Sequence, residues 1–270
     1  MAMRYPSLFV NHGGGPLPLL GRDPATVRHM KEAVSKWLPK ERPKSIVVVS
    51  AHWESNPIKI TSAPKPSMYF DYYGFPPESY EYSYPAPGNP DLANKIQSLL
   101  QDKGLPSELD AQRGFDHGVF IPLMMMYPEA DIPVVCVSLH ASLSAQVNWE
   151  LGTALSPLRD EGILILGSGF TFHNMDAFFH PSPETKKAST DFNEWLKDSM
   201  LNASLDHTER RQKLLKWDTA PGARLCHPRE EHLLPLFVTA AAGGPMSKPT
   251  LIYDVSASTS DHAISSYMFE

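Results

Sequence analysis

The sequence has little cysteine, no excess of positive charge and no long apolar run. With only Cys136 and Cys226 in 270 residues, the chain is expected to function in a reducing cytoplasm. Its formal net charge of −6 argues against a nucleic-acid-binding protein, because such proteins usually carry a basic face. No apolar run is long enough to cross a bilayer, and none follows the first charges, so neither membrane association nor a secretory signal is predicted.

Two compact motifs are also missing. The Gly13-Gly14-Gly15-Pro16 stretch lacks the GxGxxG spacing, and no helical pattern follows it at once, so a nucleotide-binding loop is not predicted. The HExxH signature of zinc enzymes does not occur either. No compact zinc signature therefore supports a metal site, and the case for one depends on the positions of the histidines.

Short apolar, β-branched runs alternate with helical patterns along the chain. Strands are predicted at residues 8–11, 45–50, 58–61, 134–139, 163–166, 250–255 and 264–269. Helices are predicted at residues 25–38, 90–103, 119–126, 144–159, 183–205 and 208–217, with a last one from 229 or 230 to 241. The alternation predicts an α/β fold with a mostly parallel central sheet flanked by helices. Since no linker interrupts it, a single domain over residues 1–270 is the simpler interpretation.

Histidines follow several of these strands. His12, His52 and His140 stand at or just beyond the end of a predicted strand, and His173 follows another a few residues later. Ligands in open parallel sheets bind beyond the carboxyl ends of the strands. If the strands are parallel neighbours, we expect the histidines to converge on one edge of the sheet. His140 has no other support and is expected to be a hydrogen-bonded neighbour.

A second histidine-rich segment runs from His227 to His232 and contains two carboxylates. Neutral imidazole is the commonest metal ligand in proteins. A three- or four-ligand site from His12, His52 and this segment would suit Zn²⁺ or Fe²⁺. The remaining candidates, His117 and His173, lie in predicted glycine-containing loops, where an imidazole can serve in acid–base catalysis.

The chain resembles a known family, the class III extradiol ring-cleaving dioxygenases of the LigB-like superfamily, and within it the 4,5-DOPA dioxygenase branch. The matching segments occur in the family's order over nearly the whole chain. They are Asn11-His12-Gly13, Val47 to Trp53, Tyr84-Pro85-Ala86-Pro87-Gly88, Gly114-Phe115-Asp116-His117, Glu129 to Pro133, Gly167-Ser168-Gly169 with His173, and His227-Pro228 with Glu231-His232.

The resemblance implies an enzyme that opens the ring of a small aromatic diol, a catechol, and incorporates both atoms of O₂. It implies a divalent metal, Zn²⁺ or Fe²⁺, bound by His12, His52 and His232. It further implies that His173 lies at the metal, as a fourth ligand or as an acid–base group. His117 matches a histidine that contacts substrate or dioxygen.

One departure concerns the third ligand. Ring-cleaving iron enzymes commonly use two histidines and one carboxylate, whereas here the third position matches His232, with Glu231 directly before it. Adjacent residues on a helix point about 100° apart, so both are not expected to reach one metal. We favour His232, and the resulting all-histidine site makes zinc more credible as the bound ion.

The proline- and tyrosine-rich stretch from Met68 to Gly88 is expected to be a rigid, aromatic-lined loop, and we call it the aromatic loop. Under the resemblance, its residues Tyr72, Tyr73 and Phe75 are candidates for the substrate pocket, as is His227. Packing of the loop onto the sheet is the alternative for each tyrosine. Two other functions stay open: a zinc hydrolase that uses the same histidines, and a non-enzymatic interaction protein like the Memo-like branch of the superfamily.

Overall fold

The computed structural model describes residues 4–270, whose strands form one mixed sheet. The strands are β1 (Ser7–Asn11), β2 (Ser45–Ser55), β3 (Ile58–Thr61), β4 (Ser107–Asp110), β5 (Val134–His140), β6 (Ile163–Gly169), β7 (Pro249–Val255) and β8 (Ile264–Phe269). Their order across the sheet is β4-β3-β5-β2-β6-β1-β8-β7. The four central strands are mutually parallel, and β8 and β7 add an antiparallel edge. The predicted α/β fold with a mostly parallel sheet is confirmed.

Helices cover both faces of the sheet. They are α1 (Pro24–Glu32), α2 (Pro90–Asp102), α3 (His117–Met126), α4 (Ala145–Leu155), α5 (Met175–Phe179), α6 (Pro183–Leu201), α7 (His207–Leu215), α8 (Ala223–Cys226) and α9 (Leu234–Gly243). Because successive side chains of a strand point to opposite faces of the sheet, β2 contributes residues to two hydrophobic cores. Val47 and Val49 pack with α2, α4, α6 and α9, whereas Ile46 and Val48 pack with α1 and α3. Within residues 4–270, no helix has the length and apolarity needed to span a membrane.

The carboxyl end of β2 differs from the prediction. The strand continues to Ser55, and its register against β5 shifts between Ser50 and Glu54. His52 therefore lies inside an irregular stretch of the strand, because residues 51–53 have no partners on β5, and such extra residues bend a strand and redirect its side chains. The edge strand β4 and the short helices α5 and α8 are additions that the sequence patterns did not predict.

Two helix boundaries near the histidines also differ. The first is the start of α3, which includes His117, so this residue is in a first helical turn rather than in a loop. The second is the start of α9 at Leu234, several residues later than predicted, with Pro235 in the first turn. Proline fits this position because its missing N–H would have no partner there. Glu231 and His232 consequently lie in the turn before the helix, where the helical spacing argument does not apply.

Candidate active site

Five histidines meet beyond the carboxyl ends of the central strands. We call His12, His52, His117, His173 and His232 the histidine cluster. Ring centroids are 5.0 Å apart for His12 and His52, 4.8 Å for His52 and His232, 3.9 Å for His52 and His117, and 3.4 Å for His173 and His232. The topology explains the meeting, because β1 and β2 both neighbour β6, and the turn before α9 packs on the end of β6.

Three of the rings point the same nitrogen at one another. The Nε2 atom of His52 lies 3.1 Å from Nε2 of His12 and 3.3 Å from Nε2 of His232. Two nitrogen ligands of one ion are about 3 Å apart when each metal–nitrogen bond is about 2.0–2.1 Å. The spacing of these nitrogens therefore matches the edge of a coordination shell.

Hydrogen bonds on the far side of two rings fix which nitrogen carries the proton. Nδ1 of His12 lies 2.9 Å from the Ser168 hydroxyl, which itself donates to the Gly118 carbonyl. Because the hydroxyl proton is used there, Nδ1–H of His12 is the donor to Ser168. Nδ1 of His232 similarly donates to Oε1 of Glu231 at 2.8 Å. Both Nε2 atoms are left with a lone pair.

The third ring cannot satisfy both of these lone pairs. A single proton on Nε2 of His52 can be donated to His12 or to His232, and the lone pair of the other Nε2 is then left without a hydrogen-bond donor. If Nε2 of His52 carries no proton, all three lone pairs face one another. A cation placed among the three nitrogens removes this conflict, since each Nε2 then donates its lone pair. The donor set thus fits a divalent metal of the kind that imidazole binds.

Burial keeps these three imidazoles neutral. The pKa of His52 is lowered to about 3, chiefly by burial and then by the neighbouring His117. Burial, followed by the other imidazoles of the cluster, also holds the pKa of His12 and of His232 well below the ordinary value. A neutral imidazole is the form that binds metal ions.

His117 is held by a carboxylate from the aromatic loop. Oδ1 of Asp71 accepts hydrogen bonds from both the backbone N–H and Nδ1 of His117, each at 2.9 Å. Burial alone would raise the pKa of Asp71, but the hydrogen bonds from His117 outweigh burial and lower this pKa to about 2. A nitrogen of His117 lies within 4.8 Å of nitrogens of His12 and His52, so the ring is part of the same site.

His173 reaches the cluster from the loop after β6. Its backbone N–H donates to the Cys226 carbonyl at 2.9 Å, and its ring stacks on His232 at an interplanar angle of 13°. Oε1 of Glu231 lies 3.4 Å from Nδ1 of His173 and 2.8 Å from Nδ1 of His232. Glu231 thus contacts both rings on their Nδ1 side, away from the converging Nε2 atoms.

Of the residues predicted to line the substrate pocket, some lie near the histidine cluster and others do not. Tyr72 is buried with its ring 5.9 Å from that of His117, and Phe75 packs against Tyr72 at 5.5 Å. Tyr73 is 90% exposed, and the structure does not bring it to the cluster. His227 is fully buried, bonds to the Thr171 carbonyl through Nε2 at 3.0 Å, and faces the core. It lies between the rings of Phe192 and Trp217 rather than at the pocket.

Four residues that contact the histidine cluster could not be assigned a role from the sequence patterns. Phe170 has its ring 5.2 Å from His12, and its position directly after an apolar strand was the available signal. Asp71 carries no such signal, because it is one polar residue in a long aromatic loop. Ser168 was noted only as part of a matching segment, and Glu231 only as a competing ligand.

Comparison with known proteins identifies the class. Residues 17–265 match the family model described as the catalytic LigB subunit of aromatic ring-opening dioxygenase. The sheet-edge histidine cluster therefore belongs to a metal-dependent dioxygenase that opens aromatic rings. The chain is a member of the LigB family of extradiol dioxygenases.

The names of curated relatives agree with this assignment, and a solved structure has a similar fold. The chain is 38% identical over 253 residues to a 4,5-DOPA dioxygenase extradiol of Beta vulgaris, covering 92% of this chain and 90% of the relative. It is 39% identical over 255 residues to the dioxygenase tasH of Hapsidospora irregularis, covering 88% and 78%. The crystal structure of an uncharacterized protein from Escherichia coli K12 superposes with a TM-score of 0.76 at 30% identity, over 99% of this chain and 100% of that one.

Proposed function

We propose that the protein cleaves a small catechol with O₂ at the histidine cluster, using one divalent metal held by His12, His52 and His232. The observation that carries this proposal is the convergence of three neutral Nε2 atoms at 3.1 and 3.3 Å. Glu231 is assigned an outer position, since it contacts Nδ1 of His232 and so orients this ligand instead of replacing it.

His173 is assigned to proton transfer and not to ligation. Its ring is nearly parallel to that of His232, with centroids 3.4 Å apart. Imidazole lone pairs lie in the plane of the ring, so two stacked and nearly parallel rings direct their lone pairs along separate planes and are not both expected to hold one ion. This geometry supports an acid–base role, which positioned histidine side chains commonly fill in enzymes.

His117 is assigned as the acceptor of a catechol proton. Its Nδ1 is occupied by Asp71, so that Nε2 is the nitrogen with a free lone pair. Its ring lies 3.9 Å from His52 and 5.9 Å from Tyr72, between the proposed metal position and the aromatic loop. A catechol that contacts both would present a hydroxyl to this nitrogen.

The metal assignment is Fe²⁺ for turnover. A redox-active ion such as Fe²⁺ supplies the electron transfer between the catechol and O₂ that protein side chains do not. Zn²⁺ has no accessible redox change, so zinc-loaded protein is expected to bind catechol without ring opening.

The substrate class is a DOPA-like catechol. Relatives at 38% identity carry the name 4,5-DOPA dioxygenase extradiol. Tyr72, Phe75 and Phe170 provide aromatic surface beside the cluster, and aromatic rings pack well against one another at such distances. We assign these three residues to the walls of the substrate pocket.

The experiment is oxygen uptake after anaerobic loading with Fe²⁺. We expect uptake of one O₂ per catechol and a yellow ring-opened product from a panel of substituted catechols that includes DOPA. His52→Ala should abolish both metal retention and uptake. His180→Ala is the matched control, because this histidine is largely exposed and outside the cluster. Absence of uptake across the panel at confirmed Fe²⁺ occupancy would refute the proposal.

A further inference from the structure

Asp71 joins two histidines of the cluster through one carboxylate. Its Oδ1 atom accepts two hydrogen bonds from His117, and its Oδ2 atom lies 3.6 Å from Nδ1 of His52. The side chain is 12% exposed, so water competes little for these contacts. The same residue therefore reaches the proposed proton acceptor and a proposed metal ligand.

The contact with His117 determines its tautomer. A carboxylate oxygen only accepts hydrogen bonds, so Nδ1 of His117 must carry the proton. The backbone N–H of His117 donates to the same oxygen, which prevents the ring from turning away with its main chain. Nε2 is then free to accept a proton from a substrate.

The contact with His52 is too long for a hydrogen bond, but its electrostatic effect on this second ring acts in the same direction. A carboxylate near Nδ1 favours the proton on that nitrogen and leaves Nε2 for the metal. Behind this ring, Arg113 donates to the His52 carbonyl at 3.1 Å and to Asp116 at 2.9 Å. Arg113 thus contacts the backbone of His52, whereas Asp71 contacts the Nδ1 side of its ring.

We propose that Asp71 is a positioning residue of the ring-cleavage reaction, which holds His117 in the Nδ1–H tautomer and directs Nε2 of His117 and of His52 inward. This inference rests on the proposed function for its catalytic part, but the orientation of His117 is a property of the protein alone. Because Asp71 directly precedes Tyr72 in the aromatic loop, the loop that walls the pocket also orients the proton acceptor.

The experiment measures the tautomer directly. Two-bond ¹H–¹⁵N correlations of histidine rings are recorded on zinc-loaded protein labelled with ¹⁵N-histidine, and the His117 signals are assigned with His117→Gln. We expect the Nδ1–H form in the wild type. Asp71→Leu removes the acceptor and should give a substantial Nε2–H population, whereas Asp71→Asn keeps a side-chain oxygen and should retain the Nδ1–H form.

Kinetics with Fe²⁺ separate positioning from simple anchoring of the loop. Asp71→Leu is expected to lower kcat about 10–100-fold with little change in KM, as for other residues that orient groups at metal sites. Asp71→Asn should lose less. Asp176→Asn is the matched control, since Asp176 pairs with Nδ1 of the exposed His180 at 3.0 Å in the same way. Its kcat should equal that of the wild type.

The outcomes are distinguishable. An Nε2–H tautomer in the wild type, or an unchanged tautomer in Asp71→Leu, would overturn the inference. A lower unfolding temperature without a change in tautomer or kcat would reduce Asp71 to a loop anchor, which also overturns it. If Asp71→Leu does not fold, Asp71→Ala removes the same acceptor without added bulk. Failure of the wild type to cleave any catechol would sink the proposed function, while the tautomer would still decide the orienting role.

Discussion

Gly169, the last residue of β6, offers a test of how closely the backbone supports the histidine cluster. A Cβ atom added at this residue would lie 2.2 Å from the carbonyl oxygen of His232. Ordinary contact begins near 3.4 Å, and nothing under 3.0 Å is tolerated, so the turn that carries His232 must move by about 1 Å. The neighbouring hydrogen bond from the Phe170 N–H to the same carbonyl, 2.8 Å long, would be broken or strained.

A displacement of this size should disturb the geometry of the proposed metal ligands but leave the fold intact. Misplacement of a reacting group by about 1 Å costs on the order of 100-fold in rate. For Gly169→Ala we therefore expect a fall of kcat/KM on the order of 100-fold, together with weaker retention of Fe²⁺. The sheet itself should persist, because the residues before Gly169 keep their pairing with β1 and β2.

The assay combines metal analysis after dialysis, oxygen uptake with a catechol, and thermal unfolding. Gly104→Ala is the control variant: it has a left-handed φ of +71°, no atom within 4 Å of the added Cβ, and a position at the end of α2. It should lose some stability through backbone strain while keeping metal and turnover. Unchanged metal retention and kcat/KM in folded Gly169→Ala would refute the argument that this contact sets the position of His232.

Two further predictions concern single side chains. Ser168→Ala removes the acceptor for Nδ1 of His12 and should weaken Fe²⁺ binding about 10–100-fold, measured by competition with a chelator. Ser142→Ala loses a similar contact to the half-buried His140, which lies outside the cluster, and should bind Fe²⁺ as the wild type does. Equal affinities of Ser168→Ala and the wild type would contradict the role of Ser168. Burial lowers the pKa of His29 to about 4 in the folded protein. As pH falls from about 6.5 towards 4, His29 becomes protonated in the unfolded chain but not in the folded one, which destabilises the folded protein by up to about 3 kcal/mol. Above about pH 6.5 this destabilisation is absent. His29→Phe should flatten this part of the pH profile in urea unfolding at a series of pH values, and parallel profiles for the two proteins would count against it.

The central strands could be predicted because each is a short apolar run that is buried on both faces. The segment that forms β4 is Ser-Glu-Leu-Asp, an edge strand with two exposed residues, and such a strand has no apolar run to reveal it. The start of α9 was misjudged because acidic residues at 230 and 231 are typical of a first helical turn. In the structure Pro235 lies in the first turn of α9, whereas Glu231 lies before the helix and contacts histidines.

The histidines of the site were predictable in part, because strand ends in a parallel sheet share one edge. Their partners were not. Asp71 and His117 are 46 positions apart, and their contact depends on the path of an irregular loop that no periodic pattern describes. The placement of Tyr73 and His227 shows the same limit, since a loop residue can face solvent or core with no change in composition.

The charges of the site support a divalent cation independently of the nitrogen spacing. Three imidazoles are kept neutral by burial, so the proposed ligands contribute no charge. Asp71 and Glu231 both have lowered pKa values in spite of burial and are ionised, which places two negative charges around the cluster. The nearest guanidinium groups offset this charge only in part. Arg113 pairs with Asp116, and Arg229 is shared between Glu54, with which it forms two hydrogen bonds, and Glu231, whose Oε2 lies 3.3 Å from its Nη1. A divalent cation at the converging nitrogens would offset the negative charge that remains on these carboxylates, and it would do so without a carboxylate ligand. In the proposed arrangement the carboxylates contribute charge and orientation from behind the rings, and the inner face of the cluster is left to the metal, the catechol and O₂.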